Sequence, residues 1–198
     1  MSNLNFLHSG GNKVTLSAPD SNPTSDRILK LPSNADGTII TSTSPDSDRF
    51  KTGEIVQVTA SVITASAIFN NSHINQYNDT PMTASITPKF ADSTIIVNFQ
   101  FGILLRDNGS NAGLGYGVKR NGARVISSSV NPHEQFCSGS GSPLNGYRTT
   151  YTYVDTTYNS TSQQTYLLEA FLRNYSNMVA EFNSRGETAN VVIYEVKG

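Results

Sequence analysis

The residues of this 198-residue chain best suited to chemistry are its three histidines and its single cysteine, and one loop holds two of them. His133, Glu134 and Cys137 fall within "HEQFC", a combination that could supply a thiol nucleophile and a base. A nucleophilic cysteine needs an electropositive position, commonly at a helix start, together with a positioned base. The surrounding Gly- and Ser-rich segment offers neither, so catalysis at this loop is disfavoured.

The histidine spacing gives no metal-binding pattern. His8, His73 and His133 lie far apart, with no His-x-His or His-x3-His pair. Zinc sites take three or four protein ligands, so His73 or His133 could bind a metal only on the symmetry axis of an oligomer, where each chain supplies one ligand. A solvated loop histidine is the simpler interpretation of both.

The Gly-rich segment "RDNGSNAGLGYG" offers oxygen ligands for a surface Ca²⁺ through Asp107, Asn108 and Asn111. It lacks the ligand run and distal Glu of an EF-hand loop, and an ordinary β-turn is favoured. No carboxylate pair resembles that of a glycosidase, because Asp46 and Asp48 fall in a solvated linker. We therefore predict no enzymatic activity, no resident metal and no cofactor.

The composition argues against several classes of function. The formal net charge is −1 with only 15% charged residues, whereas nucleic-acid binding usually needs a basic face. No stretch approaches the roughly 20 apolar residues that span a bilayer, and "MSNLNFLHSGG" shows no signal-peptide pattern. The single Cys137 cannot form an intrachain disulfide. We expect a protein without nucleic-acid partners or membrane insertion, made in the cytoplasm of its producer.

The abundant Ser, Thr, Asn and Tyr favour strands and turns over helices. "GEIVQVTASVIT" is apolar on both parities, and "STIIVNFQFGILL" predicts a core face formed by alternate residues from Ile95 to Phe101. In "KRNGAR", Asn121 and Gly122 supply the two positive-φ positions of a type I′ hairpin turn. "QQTYLLEAFLRN" alternates with a period of two and lacks a helix N-cap, which predicts a strand.

Roughly eight such segments separated by turn signals are typical of a sandwich or jelly roll. We predict an all-β fold with a jelly-roll-like antiparallel β-sandwich over residues 53–198. Residues 131–146, rich in Gly and Pro, are predicted to form a loop.

Residues 1–52 are predicted to form an extended, short-stranded segment for anchoring and oligomerisation. Its hydrophobic stretches are too short to close a core alone and need neighbouring chains. The residues predicted to mediate anchoring or oligomerisation are Val14, Leu16, Ile28, Leu29, Leu31 and Ile39.

Tyrosines cluster late in the chain. Tyr151 and Tyr153 face the same side of a predicted strand, where packing in the core or at a subunit contact is favoured. A binding surface is the alternative, because tyrosine is a frequent anchor in such surfaces. Loops on a rigid β scaffold usually carry recognition. The residues predicted to contact a partner are Asn108, Asn111, His133, Tyr147 and Tyr158.

Several segments resemble structural proteins of tailed bacteriophages, particularly those of cyanobacteria and other marine bacteria. The segment "VTLSAPDSNPTSDRILKLPSNADGTIIT", followed by "GEIVQV", is similar to a module of those proteins. "ASITPKFADSTIIVNFQF", "YVDTTYNSTSQQTYLLEAF" and the ending "VVIYEVKG" are similar to their later strands. The resemblance covers most of the chain through short motifs, although the long fibre shaft of many such proteins is not present.

The resemblance implies a non-enzymatic virion protein, usually a homotrimer, whose N-terminal module contacts sister chains or other virion proteins. The first hypothesis is a trimeric fibre or spike with its β domain facing a host-surface receptor or glycan. The second is a capsid decoration protein that braces the head shell. A polysaccharide depolymerase is a third, disfavoured hypothesis.

Overall fold

The structure is a computed structural model that describes residues 4–7, 10, 13–16, 49–73, 75–106, 112–126, 135–137, 144–172 and 179–198. The strands in these ranges are β1 Leu4–Leu7, β2 Lys13–Leu16, β3 Ile55–Ile63, β4 Ala67–Phe69, β5 Tyr77–Ile86, β6 Thr94–Arg106, β7 Ala112–Arg120, β8 Ala123–Arg124, β9 Gln135–Cys137, β10 Leu144–Asp155, β11 Gln164–Leu172, β12 Val179–Phe182 and β13 Ala189–Val196. Short 3₁₀ turns lie at Asn71–His73 and Ser184–Gly186. The chain divides into two compact units, Met1–Thr41 and Ser42–Gly198.

Two antiparallel sheets form the larger unit. In the first sheet the order is β3–β13–β6–β10, with β12 pairing the later part of β6 and β4 pairing β12. In the second sheet the order is β5–β11–β7, with β8 and β9 along the far edge of β7. When the short β4 and β12 are left out and β8 and β9 are counted as one position, the described part of the unit has eight strands. The first, eighth, third and sixth (β3, β13, β6 and β10) form the first sheet, and the second, seventh, fourth and fifth (β5, β11, β7 and β8/β9) form the second. This is the strand order of a jelly roll, and it confirms the predicted fold class.

The core lies between the two sheets. Along β6, alternate residues from Ile95 to Phe101 are buried, as predicted from the apolar parity of that segment. The Phe101 ring lies 5.4 Å from Tyr116 of the second sheet and 5.6 Å from Phe182 of the first. Aromatic contacts of this kind add to the burial of apolar area. β6 is an inner strand of the first sheet, because it pairs with β13 on one edge and with β10 on the other.

The predicted hairpin turn joins β7 and β8. Asn121 has φ 50° and Gly122 has φ 81°, the left-handed conformations that a type I′ turn requires. Asn121 also holds the tip against β11, because its backbone N–H donates to Thr165 O and its Oδ1 accepts from Thr165 N, both at 2.8 Å. The turn and the strand assignment of β11 are both confirmed.

The prediction of a continuous loop over residues 131–146 was wrong in two places. Gln135–Cys137 forms β9 against β7, and β10 begins at Leu144, which pairs with Arg106 at the end of β6. The short β4, which pairs with β12, was also missed. In each case a partner strand distant in sequence supplies the hydrogen bonds, and this outweighs the local preference for turns.

The smaller unit contains a β-hairpin. β1 and β2 pair antiparallel, with Val14 opposite Phe6 and Leu16 opposite Leu4. The other residues predicted for anchoring or oligomerisation lie outside the described residues; they are Ile28, Leu29, Leu31 and Ile39. The boundary at residue 52 and the oligomerising role of this segment stay predictions.

Candidate functional site

The outer face of the first sheet carries rows of uncharged side chains that cross four strands. One row contains Val58, Tyr194, Ile96 and Val154; the next contains Ala60, Val192, Asn98 and Thr152; the third contains Val62, Asn190, Gln100 and Thr150. We call these three rows the neutral face. Val58, Val62 and Val154 are 52%, 68% and 51% exposed.

The sequence of β3 explains the apolar edge of the neutral face. A strand of a sandwich with one solvated face usually places its apolar residues inward and its polar residues outward, but in "IVQVTASVI" the exposed positions include Val58, Ala60 and Val62. Exposed apolar side chains that fall in adjacent rows form a patch, and such patches mark contact surfaces more often than isolated exposed residues do. The neutral face can therefore bury against another uncharged surface without the cost of desolvating a charge.

A cleft of about 380 Å³ opens beyond the third row. It lies where β6 and β10 run past the 3₁₀ turn that follows β12. The residues that line it are Ile103, Leu104, Gly146, Arg148, Ser184, Arg185 and Glu187. We call it the arginine cleft. Both arginines are exposed, and neither takes part in an ion pair within the described part of the chain.

The turn that presents Arg185 has an unusual backbone. Asn183, Arg185 and Gly186 have φ values of 49°, 60° and 78°, and the left-handed region is uncommon for residues other than glycine. Asn183 fixes the start of the turn, because its N–H donates to Gly102 O at 3.0 Å and its Nδ2 donates to Ala65 O at 3.1 Å. The surrounding structure therefore holds Arg185 in a costly conformation at the edge of the cleft.

Glycine at position 102 makes room for the acidic side chain of the cleft. A Cβ atom added at Gly102 would lie 1.7 Å from Glu187 Oε2. The carboxylate of Glu187 thus rests directly on the backbone of β6. In this position it shares the cleft with Arg148 and Arg185.

Buried acidic residues elsewhere connect strands. Asp155 on β10 accepts from Arg120 Nη1 at 2.7 Å, from Tyr166 Oη at 2.9 Å, and from Thr157 N and Oγ1 at 2.9 Å each. Burial pushes the pKa of Asp155 up, but these hydrogen bonds outweigh burial and hold the pKa below its ordinary value. A carboxylate whose acceptors are occupied in this way stabilises the fold and is not free for general acid–base chemistry.

Glu195 and Glu169 are likewise engaged by protein groups. Glu195 accepts from the backbone N–H groups of Lys89 and Phe90 at about 3 Å, and from Ser93 Oγ at 2.9 Å. Glu169 accepts two hydrogen bonds from Arg124, at 2.6 and 2.8 Å. Neither carboxylate lines the arginine cleft, so both are structural.

Of the residues predicted to contact a partner, Tyr147 and Tyr158 fall within the described ranges, and neither lines the arginine cleft. Tyr158 is only 6% exposed and its hydroxyl donates to Phe90 O at 3.1 Å. Its prediction as a surface contact is therefore corrected to a core position, since burial of an aromatic ring with a satisfied hydroxyl is favourable. Tyr147 lies on β10 opposite Ile103. Asn108, Asn111 and His133 lie outside the described residues.

Neither metal nor membrane features arise in the described part of the chain. No group of three or more His, Cys, Asp or Glu residues that could hold a metal ion occurs there. The Nδ1 of His73 lies 3.0 Å from Ser72 Oγ. No helix in the described ranges is long and apolar enough to cross a membrane.

Comparison with known proteins gives weak structural similarities. No protein-family model and no curated protein matches the chain. A mutant VP2 protein of infectious bursal disease virus, in T=1 particles, aligns with 92% of this chain and 42% of its own at 13% identity and a TM-score of 0.34. The structure of the Gt strain of that virus aligns with 95% of this chain and 48% of its own, at 13% identity and a TM-score of 0.35.

A crystal structure of the T13 particle of the same virus gives similar values, with 14% identity, a TM-score of 0.35, and 94% and 42% of the two chains covered. This chain thus spans less than half of the structures it resembles. The jelly-roll class follows from its own strand order and register, and no function follows from these similarities.

Sequence reasoning missed the residues of both surfaces. The signal for the neutral face was present, because alternate residues of "GEIVQVTASVIT" from Val56 to Val62 are all apolar. The arginine cleft had no comparable signal. Arg148 and Arg185 are 37 positions apart in the sequence, and they meet only because β10 pairs with β6 and the turn after β12 folds over the end of β6.

Proposed function

We propose that this protein is a non-enzymatic structural component of a bacteriophage particle that assembles as a homotrimeric fibre or spike. Residues 1–52 attach to other virion proteins and help to hold three chains together. The jelly-roll domain faces the host surface. The resemblance to tailed-phage structural proteins supports this function, and so does the jelly-roll order, which recurs in viral capsid and lectin domains.

The neutral face is the single observation that carries the proposal. Its residues are uncharged over three successive rows, so in a closed ring of three chains it can pack against a different, uncharged surface of the neighbouring chain without charge repulsion. Oligomer interfaces are enriched in such surfaces and depleted in charge at their centre. A closed symmetric oligomer would cover the exposed Val58 and Val154, whose burial is worth about 1–2 kcal/mol each.

The oligomeric state of the full-length chain tests this assignment. We expect wild-type protein to show the mass of three chains in sedimentation or light-scattering measurements. Val154→Lys places a charge in the first row of the neutral face and should shift the protein towards monomers. Ile68→Lys is the matched control, because Ile68 is 60% exposed but lies on β4, outside the neutral face.

Three results would contradict the proposal: a wild-type monomer at all concentrations, an unchanged oligomer in Val154→Lys, or equal dissociation in both variants. Circular dichroism establishes that the two variants remain folded. Imaging of labelled particles then separates the fibre from the alternative, a capsid decoration protein. A few trimers per particle support a fibre, and hundreds of copies support decoration.

A further inference from the structure

We propose that the arginine cleft binds a sugar that carries a carboxylate, such as a hexuronate, either free or as a residue of an acidic polysaccharide. The inference goes beyond the proposed function, because it concerns binding by the isolated protein and requires no particle. The cleft volume of about 380 Å³ lies within the range of ligand pockets.

The two guanidinium groups define the charge of the ligand. Arg148 and Arg185 both line the cleft, and no ion pair of the described residues neutralises either one. Guanidinium groups bind carboxylates and phosphates through paired hydrogen bonds. An anionic group is therefore the first requirement for the ligand.

The strained turn supports a binding role for Arg185. A non-glycine residue in the left-handed region is retained where the surrounding structure imposes it, and such positions cluster at functional sites. Here the buried Asn183, 2% exposed, fixes the turn through Gly102 and Ala65. The backbone of Arg185 is thereby fixed before a ligand arrives, which lowers the cost of binding.

Glu187 and Ser184 select among anions. Two arginines and one glutamate give the cleft a formal charge of +1, which a single carboxylate neutralises without leaving an excess charge of either sign. Glu187 is an acceptor and Ser184 can donate or accept, so together they suit the hydroxyl groups of a sugar. Leu104 offers an apolar contact for the carbon face of the ring.

The test titrates the full-length protein with glucuronate, glucose, glycine and inorganic phosphate while NMR amide shifts are recorded. We expect glucuronate to bind with a Kd of the order of 1 mM and to shift amides of residues 184–187. Glucose and glycine should bind at least about tenfold more weakly, because each lacks the net negative charge. A uronate oligosaccharide in parallel distinguishes a free sugar acid from a polysaccharide residue.

Variants locate the site. Arg185→Ala should weaken glucuronate binding by about tenfold or more, because it removes one charge-assisted hydrogen bond. Arg185→Lys should weaken it less, because the positive charge is kept. Arg49→Ala, which removes an exposed arginine that does not line the cleft, should leave the affinity unchanged. Glu187→Gln should strengthen phosphate binding more than glucuronate binding, because it removes a negative charge but also the charged acceptor for the sugar hydroxyl groups.

The proposal is overturned if glucuronate binds no better than glucose, if phosphate or glycine binds as tightly as glucuronate, or if Arg185→Ala binds like wild type. These readouts do not depend on the oligomeric state. If glucuronate does not bind, the proposed virion function is unaffected. If the protein is a monomer that binds glucuronate, the proposed trimeric virion function is overturned and the sugar-binding proposal is not.

Discussion

Asp155 is a fully buried carboxylate that joins the two sheets. It lies on β10 of the first sheet, and its partners Arg120 and Tyr166 lie on β7 and β11 of the second. Removing one partner of a buried ion pair leaves the other charge uncompensated. At the residue scale, the stability of the sandwich should therefore depend strongly on this one side chain.

We predict that Asp155→Asn lowers the free energy of unfolding by about 3 kcal/mol, measured by urea denaturation. Because the folded pKa of Asp155 is below its ordinary value, its stabilisation is complete above about pH 4 and is lost as the pH falls through the folded pKa. The variant should show a weaker dependence of stability on pH in that acidic window. Asp92→Asn, at an exposed ion pair with Lys197, is the control. Equal stability of both variants would contradict the prediction.

Tyr158 makes a second prediction at the residue scale. Burial raises its pKa to about 12, whereas an unfolded tyrosine ionises near pH 10. The folded state retains the proton longer, so this contribution to stability is complete below about pH 10 and is lost as the pH rises towards about 12.

Tyr158→Phe should accordingly lose less stability between about pH 10 and 12 than wild type does. Its stability at neutral pH should fall by about 1 kcal/mol, because the hydrogen bond to Phe90 O is removed. Urea midpoints at several alkaline pH values provide the measurement. The dependence of stability on alkaline pH should not vanish in the variant, since burial also raises the pKa of Tyr116 and Tyr166. If the urea midpoint of the variant changes with alkaline pH as steeply as that of the wild type, Tyr158 does not contribute to the pH dependence of stability.

At the element scale, Glu195 of β13 fixes the connection between β5 and β6. Its carboxylate accepts from Lys89 N, Phe90 N and Ser93 Oγ in that connection, and from Gln57 Nε2 of β3 at 2.6 Å. A single side chain thus satisfies backbone donors that no sheet ladder could reach.

We predict that Glu195→Gln destabilises the protein by about 2 kcal/mol, because one acceptor oxygen is replaced by an amide donor that faces other donors. Hydrogen exchange at the amides of Lys89 and Phe90 should accelerate more than exchange in the strands. Glu54→Gln, at an exposed glutamate that accepts from Lys51 N, should have little effect. Unchanged protection of the two amides would rule out the anchoring role.

Elements with strong local signals were predictable and those defined by distant partners were not. The alternation of β6 and the Asn121-Gly122 turn are set by side-chain parity and backbone preference, which act within a few residues. β4 and β9 have only three residues each and exist through pairing with β12 and β7. The arginine cleft combines residues from three segments that are distant in sequence, so no local sequence pattern predicts it.

At the scale of the whole molecule, we predict that the two compact units have separable roles, attachment for the N-terminal unit and an independent fold for the jelly-roll domain. We expect a chain lacking residues 1–41 to retain the unfolding midpoint and strand content of the jelly-roll domain, because its sheets and core lie within Ser42–Gly198. The truncated protein should fail to attach to particles. Sedimentation of particles mixed with full-length or truncated protein measures this. Normal decoration by the truncated chain would contradict the anchoring role of the N-terminal unit.

The pairing of β3 with β13 has a consequence for how the protein folds. The first strand of the jelly roll is hydrogen-bonded to its last, and Gly53 N donates to Lys197 O at 2.8 Å. A ribosome adds roughly 5–20 residues per second, so β3 emerges on the order of 10 s before its neighbour exists. During that interval its valines and backbone groups are open to other chains, and contacts so distant in sequence form slowly. Closure of the domain therefore waits until β13 has been synthesised, and a folding chaperone would act most usefully on β3.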